Sequence, residues 1–395
     1  MRKQVQRLLD AQRDILAPAA IGAVTLAMNQ LRDAIAAKEN IGKVRLKMDE
    51  LDFAANKWLK PYPNAMWREN VEVLLVAIAV AMAIRTFFLQ PFKIPTGSMQ
   101  PTLFGVTSKN YLPHDGQPGD PKFEIPTGWE RIKEWFEGIS YVHVVAQADG
   151  TIDAVNPMTH FLIFNIRQSF TIGGVEHVMW FPPDYGEAPP GMDPMAYRAG
   201  LHPHTEFERG QTYHKGDDVV KLKVAAGDHL FVDRISYNFR KPQRGEIVVF
   251  QTAGIPEERR ENRPYWNIPP DQFYIKRMVG LGGEKIQIGD DRHLVIDGHR
   301  LDSSTPHFEN VYSFDPKHPP EESHYSGHIS QPQMPFFPDS SSVYQIPTGH
   351  IMVMGDNTMN SLDSRYWGDF PEDSIIGKSF FVYWPVTKRF GWGNQ

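Results

Sequence analysis

The sequence predicts a mainly β protein: a coiled antiparallel β domain preceded by N-terminal helices and a transmembrane helix. Three observations carry that prediction. Apolar residues recur at helical spacing in residues 1–60. The most apolar stretch of the chain follows at 71–90. Beyond it the texture changes to short segments rich in β-branched and aromatic residues, punctuated from a stock of 31 glycines and 32 prolines.

The 395 residues are 41% hydrophobic and 22% charged, a composition that folds rather than stays disordered. That length accommodates about two or three structural units. A formal net charge of −6 supplies no general attraction to nucleic acid. With 0 cysteines, disulfides, thiol nucleophiles and Cys-based zinc sites are excluded.

Residues 1–70 hold 12 Lys/Arg and 8 Asp/Glu, so this part carries +4 and the remainder −10. Leu8, Leu9, Ile15 and Leu16, then Val24, Met28, Leu31 and Ile35, predict helices through residue 60. The uncharged stretch 17–28 reads as an amphipathic or self-packing helix rather than a second span. No small-residue cleavage site follows an early apolar core, so no removable leader is expected.

In "VEVLLVAIAVAMAIRTFFLQ", 71–90, the uncharged run Val73 to Ile84 is 12 residues. Glu72 and Arg85 can snorkel, which extends the apolar segment to about 17–19, close to the roughly 20 a span requires. The alternative is a helix buried in the protein. As an anchor, its basic flank stays cytoplasmic and everything after residue 90 lies outside. The expected organisation is therefore a basic helical region over 1–70, an anchor over 71–90 and an extracytoplasmic β-rich domain over 91–395.

Within that domain "DHLFVDRISY" (228–237), "GEIVVFQT" (245–252), "FYIKRMVGL" (273–281), "EKIQIG" (284–289) and "HLVIDGHRL" (293–301) read as strands. "HIMVMGDN" (350–357) and "GKSFFVYWPV" (377–386) complete the set. Two stretches read as insertions. Residues 107–220 combine a short amphipathic helix near 129–137 with strands and a Pro-rich, His-containing loop; residues 303–345 form a long loop. The tetrapeptide IPTG, at 94–97, 125–128 and 346–349, marks turns and no repeat, since the flanks share nothing. The aromatic end 380–392 is strand and core, with Phe390 or Trp392 at a lipid surface as the alternative.

The chemistry is less obvious. The chain has no G-x-S-x-G elbow and no H-E-x-x-H helix. A lysine can activate a serine in place of histidine, provided it is neutral. From about 10.4, its pKa must fall by about three units, or about 4 kcal/mol against the charged form. Burial among apolar groups supplies that. In "FYIKRMVG", Lys276 shares a strand face with Tyr274 and Met278 while Arg277 points to the other. The plain alternative for Lys276 is an exposed strand lysine, and for Ser98, after Pro-Thr-Gly, a turn serine.

Taken in order, "QPFKIPTGSMQPTL" (90–103), "GDHLFVDRISY" (227–237), "FYIKRMVGLGGEKI" (273–286) and "GDNTMNSLDSRYWG" (355–368) resemble the successive boxes of type I signal peptidases. These are membrane-bound Ser-Lys proteases that remove signal peptides from exported precursors. The resemblance implies the signal-peptidase-like fold, Ser98 as nucleophile and Lys276 as general base. It implies Thr96 and the Ser98 backbone N–H as oxyanion donors and Ser361 as the group that orients the lysine. Asp363 and Arg365 match a structural pair beside the site, and Arg277 contributes packing or an ion pair. Thr358 and Met359 depart from the family's "GDNRDNS", removing two charges near the site.

The family cuts after small residues, as in A-x-A, and the resemblance makes Ile94 and Ile275 the flanks of the peptide cleft. Plain strand core is the alternative for both. Expected partners are signal-peptide-bearing precursors and membrane lipid, with no nucleic acid and no metal or organic cofactor. Residues 356–363 lack the central Gly and terminal Glu of a calcium loop. His202, His204 and His214 read as a solvated loop before a metal site. A rival reading is a membrane-tethered inactive homologue that binds a partner through its insertions.

Overall fold

The computed structural model describes residues 1–60, 65–113, 119–162, 164–189, 191–203, 210–262, 266–313 and 327–392. The chain divides into two compact units, Met1–Ala81 and Met82–Gln395.

In the first unit the helices Arg2–Gln12, Pro18–Ala36 and Ile41–Trp58 follow one another. Pro18 opens the second, where its missing N–H costs nothing, and the Asn40 side chain caps the third by accepting from Gly42 N at 2.7 Å. Leu9, Leu16, Val24, Met28 and Leu31 pack in one core with Leu51. Residues 17–28 thus belong largely to a packed helix. Leu8, Ile15 and Ile35 face outward. Gln12 is buried, its amide donating to Lys60 O and accepting from Lys60 N at 2.9 and 3.0 Å.

The helix Ala65–Phe87 begins before the predicted stretch. Its residues Met66–Phe87, 22 in number with a mean hydropathy of 1.8, form the one helix among the described residues long and apolar enough to cross a membrane. At 1.5 Å per residue they extend about 33 Å, near the thickness of a bilayer's hydrocarbon. None of this stretch is buried in protein, so the alternative of a helix buried in the fold does not hold.

The second unit is mainly antiparallel β. Its largest sheet has eight strands, in the order Leu89–Lys93, His229–Asp233, Ile375–Trp384, Ile247–Gln251, Phe273–Leu281, His350–Met354 and Phe370–Pro371, with Gly391–Trp392 also on Ile375–Trp384. Ile94, Met99, Leu230, Val232, Ile247 and Val249 form a core against one side. Val248, Phe250, Met278, Val353, Trp367 and Phe370 form another. The alternation of Val248 and Val249 between two cores is the period of a strand covered on both faces. Phe390 and Trp392 remain exposed.

Both insertions carry more structure than the sequence announces. Residues 107–225 hold a three-stranded and a five-stranded sheet around a shared core that includes Val142, Ile152, Phe170, Ile172, Val220 and Leu222. The expected short helix is there, as Gly128–Phe136. Residues 303–345 are mostly turns, yet Phe308, Val311 and Phe337 are buried against Ile286, Ile288 and Leu294. That long loop is therefore packed in part onto a small four-stranded sheet, in the order His299–Arg300, Leu294–Ile296, Lys285–Ile288 and Val343–Gln345, whose last strand it supplies.

Candidate active site

The Leu89–Lys93 strand runs into a single 3-10 turn, Gly97–Met99, that carries Ser98. Backbone and buried side chains hold this turn on three sides. Ile94 N donates to Asp228 O at 2.9 Å, and Phe104 N donates to the Asp228 carboxylate at 2.7 Å. Asn357 donates its backbone N–H to Ser98 O and its side-chain N–H to Gly97 O, both at 3.1 Å. Met99 is fully buried beneath. Gly105 is required, because any side chain there would collide with the Thr96 backbone. Gly355 is required likewise against Ser98 O and Ser361.

Lys276 lies in the Phe273–Leu281 strand, and its Nζ is 2.9 Å from Ser98 Oγ. Both side chains are buried, each residue at 5% exposure. Nζ also donates to Ile275 O at 3.0 Å and sits 5.4 Å from the Tyr274 ring centre. No carboxylate pairs with it among the described residues. Burial lowers the Lys276 pKa to about 8; Asp363, Asp356 and Glu187 oppose the shift without reversing it, and Arg365 assists it. A lysine that titrates near neutrality beside a hydroxyl can take that hydroxyl's proton.

Thr96 Oγ1 is 3.5 Å from Ser98 Oγ, so its hydroxyl sits beside the candidate nucleophile. Ser361 Oγ is buried and forms no hydrogen bond of ordinary geometry, to Lys276 or to any other described residue. It lies near enough to Asp363 to favour that carboxylate's charged form. Arg365 grips Asp363 through Nε and Nη2 at 2.9 and 2.8 Å, with both residues fully buried. Burial raises the Asp363 carboxyl, and the guanidinium more than reverses that. The departure at Thr358 has a place in this cluster, since its hydroxyl accepts from Arg365 Nη1 at 2.6 Å and from Ile329 N at 3.0 Å.

Arg277 points away from Lys276 and grips Asp356 through Nε and Nη2 at 2.8 and 2.6 Å. Its Nη1 donates to Gly245 O at 2.7 Å and Nη2 to Thr102 Oγ1 at 3.2 Å. Asp356, Thr102 and Asp228 received no role from sequence reasoning, although each stands inside a quoted box. A carboxylate in a Gly-Asp turn carries no mark of its distant partner.

The cleft beside Ser98 and Lys276 has a volume of about 970 Å³, and Ile275 lines it. Ile94 does not. It is 2% exposed and packs in the sheet core, because Lys93 and Pro95 on either side take the cleft-facing positions of an extended segment. The opposite wall comes from the first insertion, through Gly186, Glu187, Pro189 and Met192. The sequence gives no signal for that.

No group of three or more His, Asp or Glu is placed to hold a metal among the described residues. Asp356 and Asp363 are committed to arginines. His204 lies outside the described residues.

The site thus sets a buried serine hydroxyl against a desolvated lysine on a mainly antiparallel β scaffold. The chain belongs to the signal peptidase family, peptidase S26, whose model matches residues 67–112 and 216–384. The unmatched stretch between them falls within the inserted β module.

A signal peptidase I of Leptolyngbya laminosa is 32% identical over 165 residues, 42% of this chain and 64% of that protein. One from Pseudomonas fluorescens is 29% identical over 205 residues, 43% and 63% respectively. The thylakoidal processing peptidase 1 of Arabidopsis thaliana is 29% identical over 162 residues, 41% and 38% respectively. The chain thus spans less than two thirds of the length of these relatives. A solved signal peptidase I from Enterococcus faecalis V583 is 25% identical, covering 35% of this chain and 97% of its own, at a TM-score of 0.23.

Proposed function

We propose that this chain is a membrane-anchored serine endopeptidase that removes N-terminal signal peptides, with Ser98 as nucleophile and Lys276 as general base. The observation that carries the reading is the 2.9 Å approach of Lys276 Nζ to Ser98 Oγ, with both groups withdrawn from solvent. Family membership supports the same chemistry.

In this reading neutral Lys276 accepts the Ser98 proton as Oγ bonds to the scissile carbonyl carbon. The resulting oxyanion is held by the Thr96 hydroxyl and the Ser98 backbone N–H. Collapse breaks the C–N bond, and the Lys276 ammonium gives its proton to the leaving amine. That leaves an acyl-enzyme on Ser98 and a neutral lysine. Lys276 next deprotonates a water, whose oxygen attacks the ester carbon. The proton returns to Ser98 as the signal peptide departs with a free carboxylate.

The apolar Met66–Phe87 helix would hold the cleft at the membrane to which the precursor's own apolar segment is bound, with the domain after residue 90 on the extracytoplasmic face. Ile275 in the cleft wall favours small residues before the cut bond, as in A-x-A. The test uses purified wild type, Ser98→Ala and Lys276→Ala with a precursor bearing an A-x-A site. Cleavage by wild type alone is expected. Equal cleavage by all three would point to an inactive homologue and a contaminant.

A further inference from the structure

Among the described residues, three charged side chains line the catalytic cleft: Lys93, Lys276 and Glu187. Two are committed. Lys93 forms an ion pair with Asp184, and Lys276 lies against Ser98. Glu187 forms no hydrogen bond and no ion pair with any described residue. It belongs to the inserted module, in the segment between the Val175–Trp180 strand and the Pro194–Ala199 helix.

That segment is held firmly. Tyr185 is buried in the module's core, and Arg198 donates to Tyr185 O at 3.1 Å and to Val106 O at 3.3 Å. Gly186 N donates to the Asp184 carboxylate at 2.7 Å. Gly186 has φ +76° and its α-carbon faces Val106, where a Cβ would approach within 2.9 Å. The Lys93–Asp184 pair ties the segment to the strand that leads into Ser98. Glu187 is therefore delivered to the cleft by a braced backbone.

From these placements we infer that Glu187 is a specificity-determining residue that selects a cationic side chain, lysine or arginine, near the cut bond of the substrate. The inference rests on the proposed peptidase reading. An unpaired carboxylate in a cleft discriminates in both directions. A substrate that fills the cleft strips water from the anion, which is unfavourable unless the substrate brings a counter-charge. Partial burial already pushes the Glu187 carboxyl pKa up before any substrate arrives, and the field of Lys276 opposes that only in part. A neutral residue at the contacting position adds to the desolvation, an acidic one adds repulsion, and a basic one relieves both.

The experiment uses the full chain in detergent and a set of A-x-A peptides with Lys, Gln or Glu at each position flanking the cut. The readout is the ratio of kcat/KM between charged and neutral peptides within each variant, which cancels any effect of Glu187 on the Lys276 base. Wild type is expected to favour Lys over Gln by about tenfold at one flanking position, mostly through KM and weakening with salt. Glu187→Gln should bring that ratio to about one, and Glu187→Lys should reverse it toward Glu. Absence of any Lys preference in wild type, or a preference that survives Glu187→Gln, overturns the inference.

Cleavage of the neutral peptide, and its loss in Ser98→Ala, reports on the peptidase reading separately. Should wild type cut nothing, fluorescence anisotropy of the same peptides on Ser98→Ala still decides the matter. A Lys preference in binding that disappears in the Ser98→Ala, Glu187→Gln double variant supports the inference. Equal binding of the Lys and Gln peptides overturns it.

Discussion

Lys276 and Arg277 are consecutive residues at nearly the same depth, and the two sides of their strand treat a positive charge in opposite ways. On one side Lys276 finds a serine, a carbonyl and the face of Tyr274, with no carboxylate of a described residue in contact. On the other, Arg277 finds Asp356 in a two-bond grip, with Thr102 and Gly245 O taking more of its hydrogens. Burial alone therefore does not decide what a cation does. Without a counter-charge, lost hydration appears as a lowered pKa and makes a base. With one, it is offset by the pair, and the group becomes a fixed brace beside the serine turn.

The largest test of this contrast exchanges the kind of cation on the lysine side. Lys276→Arg keeps the charge but installs a group that cannot be neutral near pH 7, so cleavage should fall by about 10³-fold or more. Circular dichroism would verify that the variant is folded. Activity above a tenth of wild type would break the comparison.

The converse exchange should act on stability. Arg277→Lys loses the two-bond grip and is expected to cost about 2–4 kcal/mol, read from the urea midpoint. The molecules still folded should keep catalysis. A variant of unchanged midpoint would mean that the Asp356 pair is not a brace.

A smaller effect is expected at Thr96→Val, with kcat lowered by about 10²-fold and KM little changed. A full kcat would remove Thr96 from the oxyanion site and leave it as a local backbone contact.

The gentlest test is pH. With the Lys276 pKa lowered to about 8, kcat/KM should climb about tenfold per unit toward that value and level off above it. The same shift has a stability consequence of known sign. Between about 8 and the unfolded value near 10.4, the unfolded chain binds more protons, so this group's contribution to stability rises with pH in that window. A profile flat from pH 6 to 9 would argue that the lysine does not titrate in the cleavage step.

Much of the architecture was legible because its signals are local. The seven predicted strand segments rest on alternation and on Gly turns, and each overlaps a strand of the large or the small sheet, although the last strand begins at Ile375, two residues before the predicted segment. The apolar stretch after the basic region marked the long helix, although its start at Ala65 was missed because Trp67, Arg68 and Glu69 break the apolar pattern. Ser98, Thr96, Lys276, Ser361, Asp363 and Arg365 were picked out through the order of the boxes, and the structure brings them into one neighbourhood. Ile94 was misplaced, since an extended segment alternates and the sequence does not say which face meets the cleft. The inserted module was seen only as a mixture of helix and strands. Its cleft-lining wall was invisible, because "DYGEAPP" looks like any turn-rich loop.

What the sequence determined alone was therefore periodicity, punctuation and residue type: which stretches extend, which one is apolar for about the thickness of a bilayer, and where a serine and a lysine are available. Tertiary structure alone decided that residues 178 positions apart meet, and that, among the described residues, Arg277 receives Asp356 while Lys276 receives no carboxylate and Glu187 enters the cleft unpaired. The reason is physical. Secondary structure follows from neighbours along the chain, whereas the charge state of a buried group follows from whatever the fold places within a few ångströms of it.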